Sequence, residues 1–168
     1  MFNYRHNAKG GFVMLRLDAI DLGDLAMALE YHFMDYGTFF WLDPETGQID
    51  LWSEEVADET GETVEDLDGR GGIRIDPVES HVAYRDMEVF ASNARDQGQR
   101  ERLERAINGH RPFRHFKDAL QLFPGLEAEW YEFHDAVMKR RAIEWLADND
   151  LVDEAEAEAA IRAMQEPV

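Results

Sequence analysis

The chain contains no cysteine. That excludes disulfides, thiolate metal sites and cysteine nucleophiles at once, and it suits a reducing compartment. Basic residues are scarce as well: 17 Lys and Arg stand against 36 Asp and Glu, a formal net charge of −19 over 168 residues. Such a balance repels phosphate backbones at long range, so broad nucleic-acid binding is disfavoured. No apolar run approaches the ~20 residues that a membrane-spanning helix requires. The basic opening, MFNYRHNAKGGFVMLRLD, lacks the apolar core and small-residue cleavage site of a signal peptide. Together these absences predict a cytoplasmic protein without membrane association.

What is present suffices for a core. The hydrophobic fraction is 45%, with four tryptophans, five tyrosines and ten phenylalanines. A chain of this length suits one domain, in which roughly two thirds of the unfolded surface is buried. The pattern assigns that domain to residues 15–152, leaving 1–14 as an N-terminal extension and 153–168 as a helical or frayed tail. Met14, just ahead of the first helical pattern, is an alternative start.

Asp21 is placed to cap a helix, with Leu22, Leu25, Leu29 and Phe33 as its apolar stripe and Gly37 as its end. TFFWLDPETGQIDLW reads as a β-hairpin around Asp43-Pro44 and Gly47. From Asp43 to Gly72 eleven carboxylates face only Arg70, and the part beyond Ser53 reads as a mobile acidic loop. Ile73–Ile75 is a third strand. A helix capped by Ser80 or Asp76 follows, with Ala83, Tyr84, Met87, Phe90, Ala91 and Ala94 on one face. Another helix runs from about Gln99 to Ile107 and is closed by Asn108-Gly109. Pro112 opens the next, which turns Phe113, Phe116, Leu120 and Phe123 inward. A long helix from Leu126 to Asp148 carries Trp130, Phe133, Val137 and Trp145. The expected class is α+β: a small antiparallel sheet, made of a hairpin plus one strand, with a mainly helical C-terminal half. Phe113, Phe116, Trp130, Phe133 and Trp145 are expected to be buried together.

One stretch runs against the overall charge. Between Arg95 and Asp118 seven basic residues meet four acidic ones, a local charge of +3. Its densest part is AINGHRPFRHFKD. A local reversal of sign marks a surface that can meet an acidic partner or an anion, and the bland alternative is pairing with carboxylates such as Asp118. The candidate binding residues are Arg111, Arg114, His115 and Lys117. The turn at Gly109 also fits a helix-turn-helix, although the pI of about 4.5 argues against one. The start of the helix opened by Pro112 offers backbone N–H groups to an anion.

No catalytic constellation emerges. The histidines show no HExxH spacing, and His115 with Asp118 supplies too few ligands for a metal. Asp43, Glu45 and Asp50 miss the spacing of a calcium loop. Ser80 beside His81 is explained by helix capping. Gly69-Arg70-Gly71-Gly72 lacks the lysine of a phosphate loop. The tryptophans read as core or interface anchors. No catalytic residue, metal or cofactor is expected.

The order of the segments resembles the bacterial Uncharacterised Protein Family 0158. The resemblance rests on the TGQ hairpin turn, Ser80-Tyr84-Met87-Phe90, AINGHRPFRHFKDAL, Trp130-Tyr131-Glu132-Phe133 and Glu144-Trp145-Leu146. It covers roughly Leu15 to Leu151. Its most specific part is Phe113 to Asp118, where the family shows an FRRFKD-like block and His115 stands in place of arginine. The resemblance implies a small bacterial cytoplasmic protein with no assigned activity, and it supplies no catalytic residues. The resulting expectation is a non-enzymatic binding or regulatory protein that uses the basic, aromatic helix. An unidentified protein is the favoured partner and a small anion the next. A nucleic-acid-associated factor and an uncharacterised hydrolase or transferase are the alternatives.

Overall fold

The computed structural model describes residues 14–166. In chain order the elements are α1 (Leu22–Glu30), β1 (Phe39–Leu42), β2 (Ile49–Trp52), α2 (Glu54–Thr60), α3 (Val64–Gly69) and β3 (Ile73–Ile75). Then follow α4 (Ser80–Ser92), α5 (Gln97–Ile107), α6 (Pro112–Leu120), α7 (Leu126–Asp148) and α8 (Glu154–Gln165). The class is α+β, as the sequence pattern implies. The chain forms two compact units, one holding the residues up to Pro77 and those from Lys139 onward, the other Val78–Met138. The proposed extension over residues 1–14 falls, except for Met14, outside the described residues.

The sheet belongs to the first unit and has the order β2-β1-β3, antiparallel throughout. Its hairpin turn is fastened by backbone bonds from Asp43 N–H to the Gln48 carbonyl (2.9 Å) and from Gly47 N–H to the Asp43 carbonyl (2.8 Å). The Asp43 carboxylate accepts from Glu45 N–H at 2.8 Å, so this residue is spent on turn geometry. Gly47 has φ +77°, and a Cβ there would come within 2.9 Å of the Ile20 side chain. Glycine is required on both counts.

Helix α1 is capped by Asp21, which accepts from Asp24 N–H at 3.0 Å, and it buries Leu25, Ala28 and Leu29. It stops at Glu30, short of Gly37. The run Tyr31-His32-Phe33 has low helix propensity, and the rings of Tyr31 and Phe33 instead gather on Phe40, with centroids 4.7–6.3 Å apart.

The acidic stretch differs most from expectation, because it is two short helices and not a loop. Ser53 caps α2 by accepting from Val56 N–H at 3.2 Å. Thr63 and Asp66 form a reciprocal capping box at the start of α3. The carboxylates of Glu54, Glu55, Glu65 and Asp66 lie in first turns, where the helix dipole favours negative charge. Leu67 and Ala57 pack against Trp41 and Trp52, giving both helices an apolar anchor.

Near the other end of the chain, Leu15 N–H donates to the Leu151 carbonyl at 2.7 Å, and Leu15 forms a parallel bridge with Val152. The tail is helical: Asp153 caps α8, and Ala157 is buried.

The second unit comprises α4, α5, α6 and the first half of α7. Its core gathers Met87, Ala91, Leu103, Ile107, Phe116, Ala119, Leu120, Leu126 and Trp130, with Phe90 and Phe133 packed against it. Phe116 and Trp130 meet edge to face at 4.8 Å. Helix α4 begins at Ser80 itself, with Glu79 at the cap position and no side-chain cap bond. Phe113 is 42% exposed and outside the core. Helical side chains lean over the turn before them, and no turn precedes Phe113. Trp145, half-buried, belongs to the first unit.

Candidate binding surface

Helix α6 is positioned by what precedes it. Asp96 caps α5 by accepting from Gln99 N–H at 2.8 Å, and the Tyr84 hydroxyl donates to the Ile107 carbonyl at 3.1 Å near the C-terminal end of α5. At Gly109 a Cβ would lie 3.3 Å from the Arg105 carbonyl oxygen, so this turn hugs the end of α5. Arg111 then adopts φ 50° and ψ 60°, a left-handed conformation. For a residue with a Cβ that costs on the order of 1–2 kcal/mol. Pro112 follows with its φ already suited to a helix, and His115 N–H donates to the Arg111 carbonyl at 3.1 Å.

The inward face of α6 is Phe116, Ala119 and Leu120. Because those residues are locked into the core, the outward face is fixed in direction. Arg111, Arg114, His115 and Lys117 are all exposed; Arg111 lies three and four residues before Arg114 and His115, and Arg114 three before Lys117, which makes each of these pairs neighbours along the surface. The structure therefore brings all four candidate residues onto one strip, beside the exposed ring of Phe113. Among the described residues Arg111, Arg114 and Lys117 form no ion pair, with Asp118 or any other carboxylate. The Phe113 and Arg114 amides lie in the first turn, where the helix dipole is positive. Arg100 is different: its guanidinium holds the Ala94 carbonyl at 2.8 and 3.2 Å and so serves the fold.

The remaining sequence candidates resolve into structural roles or isolated side chains. His81 pairs with Glu79 at 3.0 Å on an exposed helix start. Among the described residues no three His, Asp or Glu side chains converge as a metal site would need, and no helix is long and apolar enough to cross a membrane.

A second feature lies in the first unit, where the sequence marks Trp41 and Trp52 as core or interface anchors and the structure buries both. The strand register places Phe39, Trp41 and Trp52 on one sheet face with Arg74, since Phe39 opposes Trp52 and Trp41 opposes Arg74. They line a concavity of about 460 Å³, to which Glu54 and Asp68 also contribute. The Arg74 guanidinium sits 4.4 Å above the Phe39 ring, and that of Arg70 lies 5.4 Å from the centre of Trp41. The alternation Phe39-x-Trp41 was the available signal, but only cross-strand pairing shows which rings and charges share the face.

Comparison with known proteins places residues 19–165 under the model of an uncharacterised protein family, UPF0158. The chain is 27% identical over 137 residues to the UPF0158 protein PA5073 of Pseudomonas aeruginosa, covering 82% of this chain and 87% of that one. No solved structure matches.

Proposed function

Because the chain belongs to the uncharacterised protein family UPF0158, whose name assigns no activity, we propose from its own residues that it is a non-enzymatic cytoplasmic binding protein. It engages an acidic surface of a partner protein through Arg111, Arg114, His115 and Lys117. One observation carries this reading: three permanent cations, Arg111 at the cap of α6 and Arg114 and Lys117 on it, stand exposed without a carboxylate partner among the described residues, in a chain whose net charge is −19. A strongly acidic protein has many carboxylates with which to neutralise internal cations, so leaving these unneutralised favours an external counter-charge. The rigid core contacts of Phe116 and Leu120 hold the strip in place, which lowers the ordering cost of binding. Phe113 adds apolar area at the rim of the same strip.

The test is affinity capture from a bacterial lysate with the wild type and with Arg114→Glu/Lys117→Glu. Reversing two exposed charges removes two attractions and adds two repulsions, so the partner should be retained roughly 30-fold less well or worse. Doubling the salt should weaken the wild-type complex as well, because these charges face solvent. A captured partner that the double variant holds equally well would sink the proposal. Recovery of nucleic acid alone would instead favour the nucleic-acid alternative.

A further inference from the structure

We propose that two copies of this chain associate through the free edge of β2, as an antiparallel β2–β2 pair about a two-fold axis at Leu51. In the order β2-β1-β3 the strand β2 is an edge, and among the described residues no other strand pairs with its outer side. The hydrogen-bond alternation shows which groups point there. Asp43 N–H donates to the Gln48 carbonyl, so bonded pairs recur every second residue, at Trp41–Asp50 and Phe39–Trp52. Ile49 and Leu51 therefore turn their N–H and C=O groups outward. The two edges of the sheet differ in what guards them. On β3, Arg74 is exposed and paired with Asp76 at 3.1 Å, and Pro77 follows, features that discourage edge pairing. Strand β2, Ile49-Asp50-Leu51-Trp52, carries no basic residue and no proline.

An apolar patch runs up to this edge. Leu51 stands opposite Phe40 on one sheet face. The rings of Tyr31 and Phe33 lie against Phe40, and Met27 sits one helical turn before Tyr31. Met27, Tyr31 and Leu51 are exposed, while Phe33 and Phe40 are half-buried. Contiguous exposed apolar surface of this kind marks an interaction site. The occupant follows from the strand's complementarity to itself. With the axis at Leu51, the two Leu51 residues exchange both N–H···O=C bonds. Asp50, the strand's one charge, then faces Trp52 of the second copy instead of a second Asp50, and Ile49 faces Ser53. The leucine side chains meet across the axis and join the two apolar patches into one. Strands of four residues make a small interface, which fits a dissociation constant on the order of 100 µM. Each copy carries a net charge of −19, so salt should tighten the dimer by screening, the reverse of its effect on the α6 complex.

Sedimentation velocity of the purified full chain, from about 20 µM to about 1 mM and at low and high salt, tests for the dimer. A reversible dimer favoured by salt is expected. Leu51→Lys sets like charges at the axis and should weaken it roughly tenfold or more, while Arg114→Glu/Lys117→Glu should leave it unchanged. The decisive readout needs no variant. Amide hydrogen exchange of the wild type, followed by NMR, should slow about fourfold at Leu51 over that concentration range, because its N–H is bonded only in the dimer. Asp50 and Trp52, whose N–H groups are bonded to β1, should exchange slowly throughout. A chain that stays monomeric at every concentration would overturn the proposal. So would a dimer that Leu51→Lys leaves intact, or a Leu51 amide whose exchange ignores concentration.

Discussion

Replacing Phe116 by alanine tests whether the basic strip is held by the core of the second unit. Phe116 is 1% exposed and meets Trp130 at 4.8 Å and Phe90 at 6.2 Å, both edge to face. Truncation removes the transfer free energy of a benzyl group, leaves a cavity, and deletes two ring–ring contacts. Substitutions of this kind cost about 3–5 kcal/mol, a large share of the roughly 5–15 kcal/mol that typically separates folded from unfolded domains. Phe113→Ala is the internal control. Its ring is 42% exposed, so its loss should cost about 1 kcal/mol or less. Urea denaturation followed by circular dichroism at 222 nm compares the two. The reasoning fails if Phe116→Ala lies within about 1 kcal/mol of the wild type, or matches Phe113→Ala.

Two further predictions concern the first unit. Hydrogen bonds from the Thr63 backbone and then from its hydroxyl hold the Asp66 carboxyl below its ordinary pKa. A depressed folded pKa contributes stability that is fully present above the unfolded value and lost as pH falls through the folded one. Helix α3 should therefore loosen on acidification below the usual carboxylate range, and Thr63→Ala, which removes the hydroxyl bond but keeps the larger backbone one, should move the Asp66 titration, followed by NMR, only part of the way back up. An unchanged Asp66 titration in Thr63→Ala would contradict the capping box. Gly47→Ala should destabilise the hairpin by about 1–2 kcal/mol, since it combines a left-handed backbone with a 2.9 Å approach to Ile20. A thermal midpoint within about 1 °C of the wild type would refute it.

The elements legible in the sequence are those with local signals. Asn108-Gly109 and Pro112 bracket the turn before α6, and Phe116 and Leu120 give its inward face one spacing, so both its position and its exposed cations can be read directly. The hairpin is legible for the same reason, through Asp43, Pro44 and Gly47. Helices α2 and α3 are not, because carboxylates crowd their apolar pattern down to Val56 and Ala57 in one and Val64 and Leu67 in the other. Their cap residues, Ser53 and the Thr63–Asp66 pair, are the faint local evidence. Phe113 follows the stripe but falls in the first turn, where periodicity says nothing about what lies beyond the helix end. The division of α7 between two units is also invisible, since Trp130 and Trp145 continue one apolar pattern. The aromatic concavity depends on register across three strands, which no single stretch encodes.

The most direct test of the binding surface needs no identified partner. Amide resonances of the isotopically labelled protein, titrated with hexaglutamate at low salt, report where an acidic chain settles. The account predicts saturable shifts at Arg111, Phe113, Arg114, His115 and Lys117, abolished by Arg114→Glu/Lys117→Glu. Shifts that bypass residues 111–118, or no response at any accessible concentration, would contradict it.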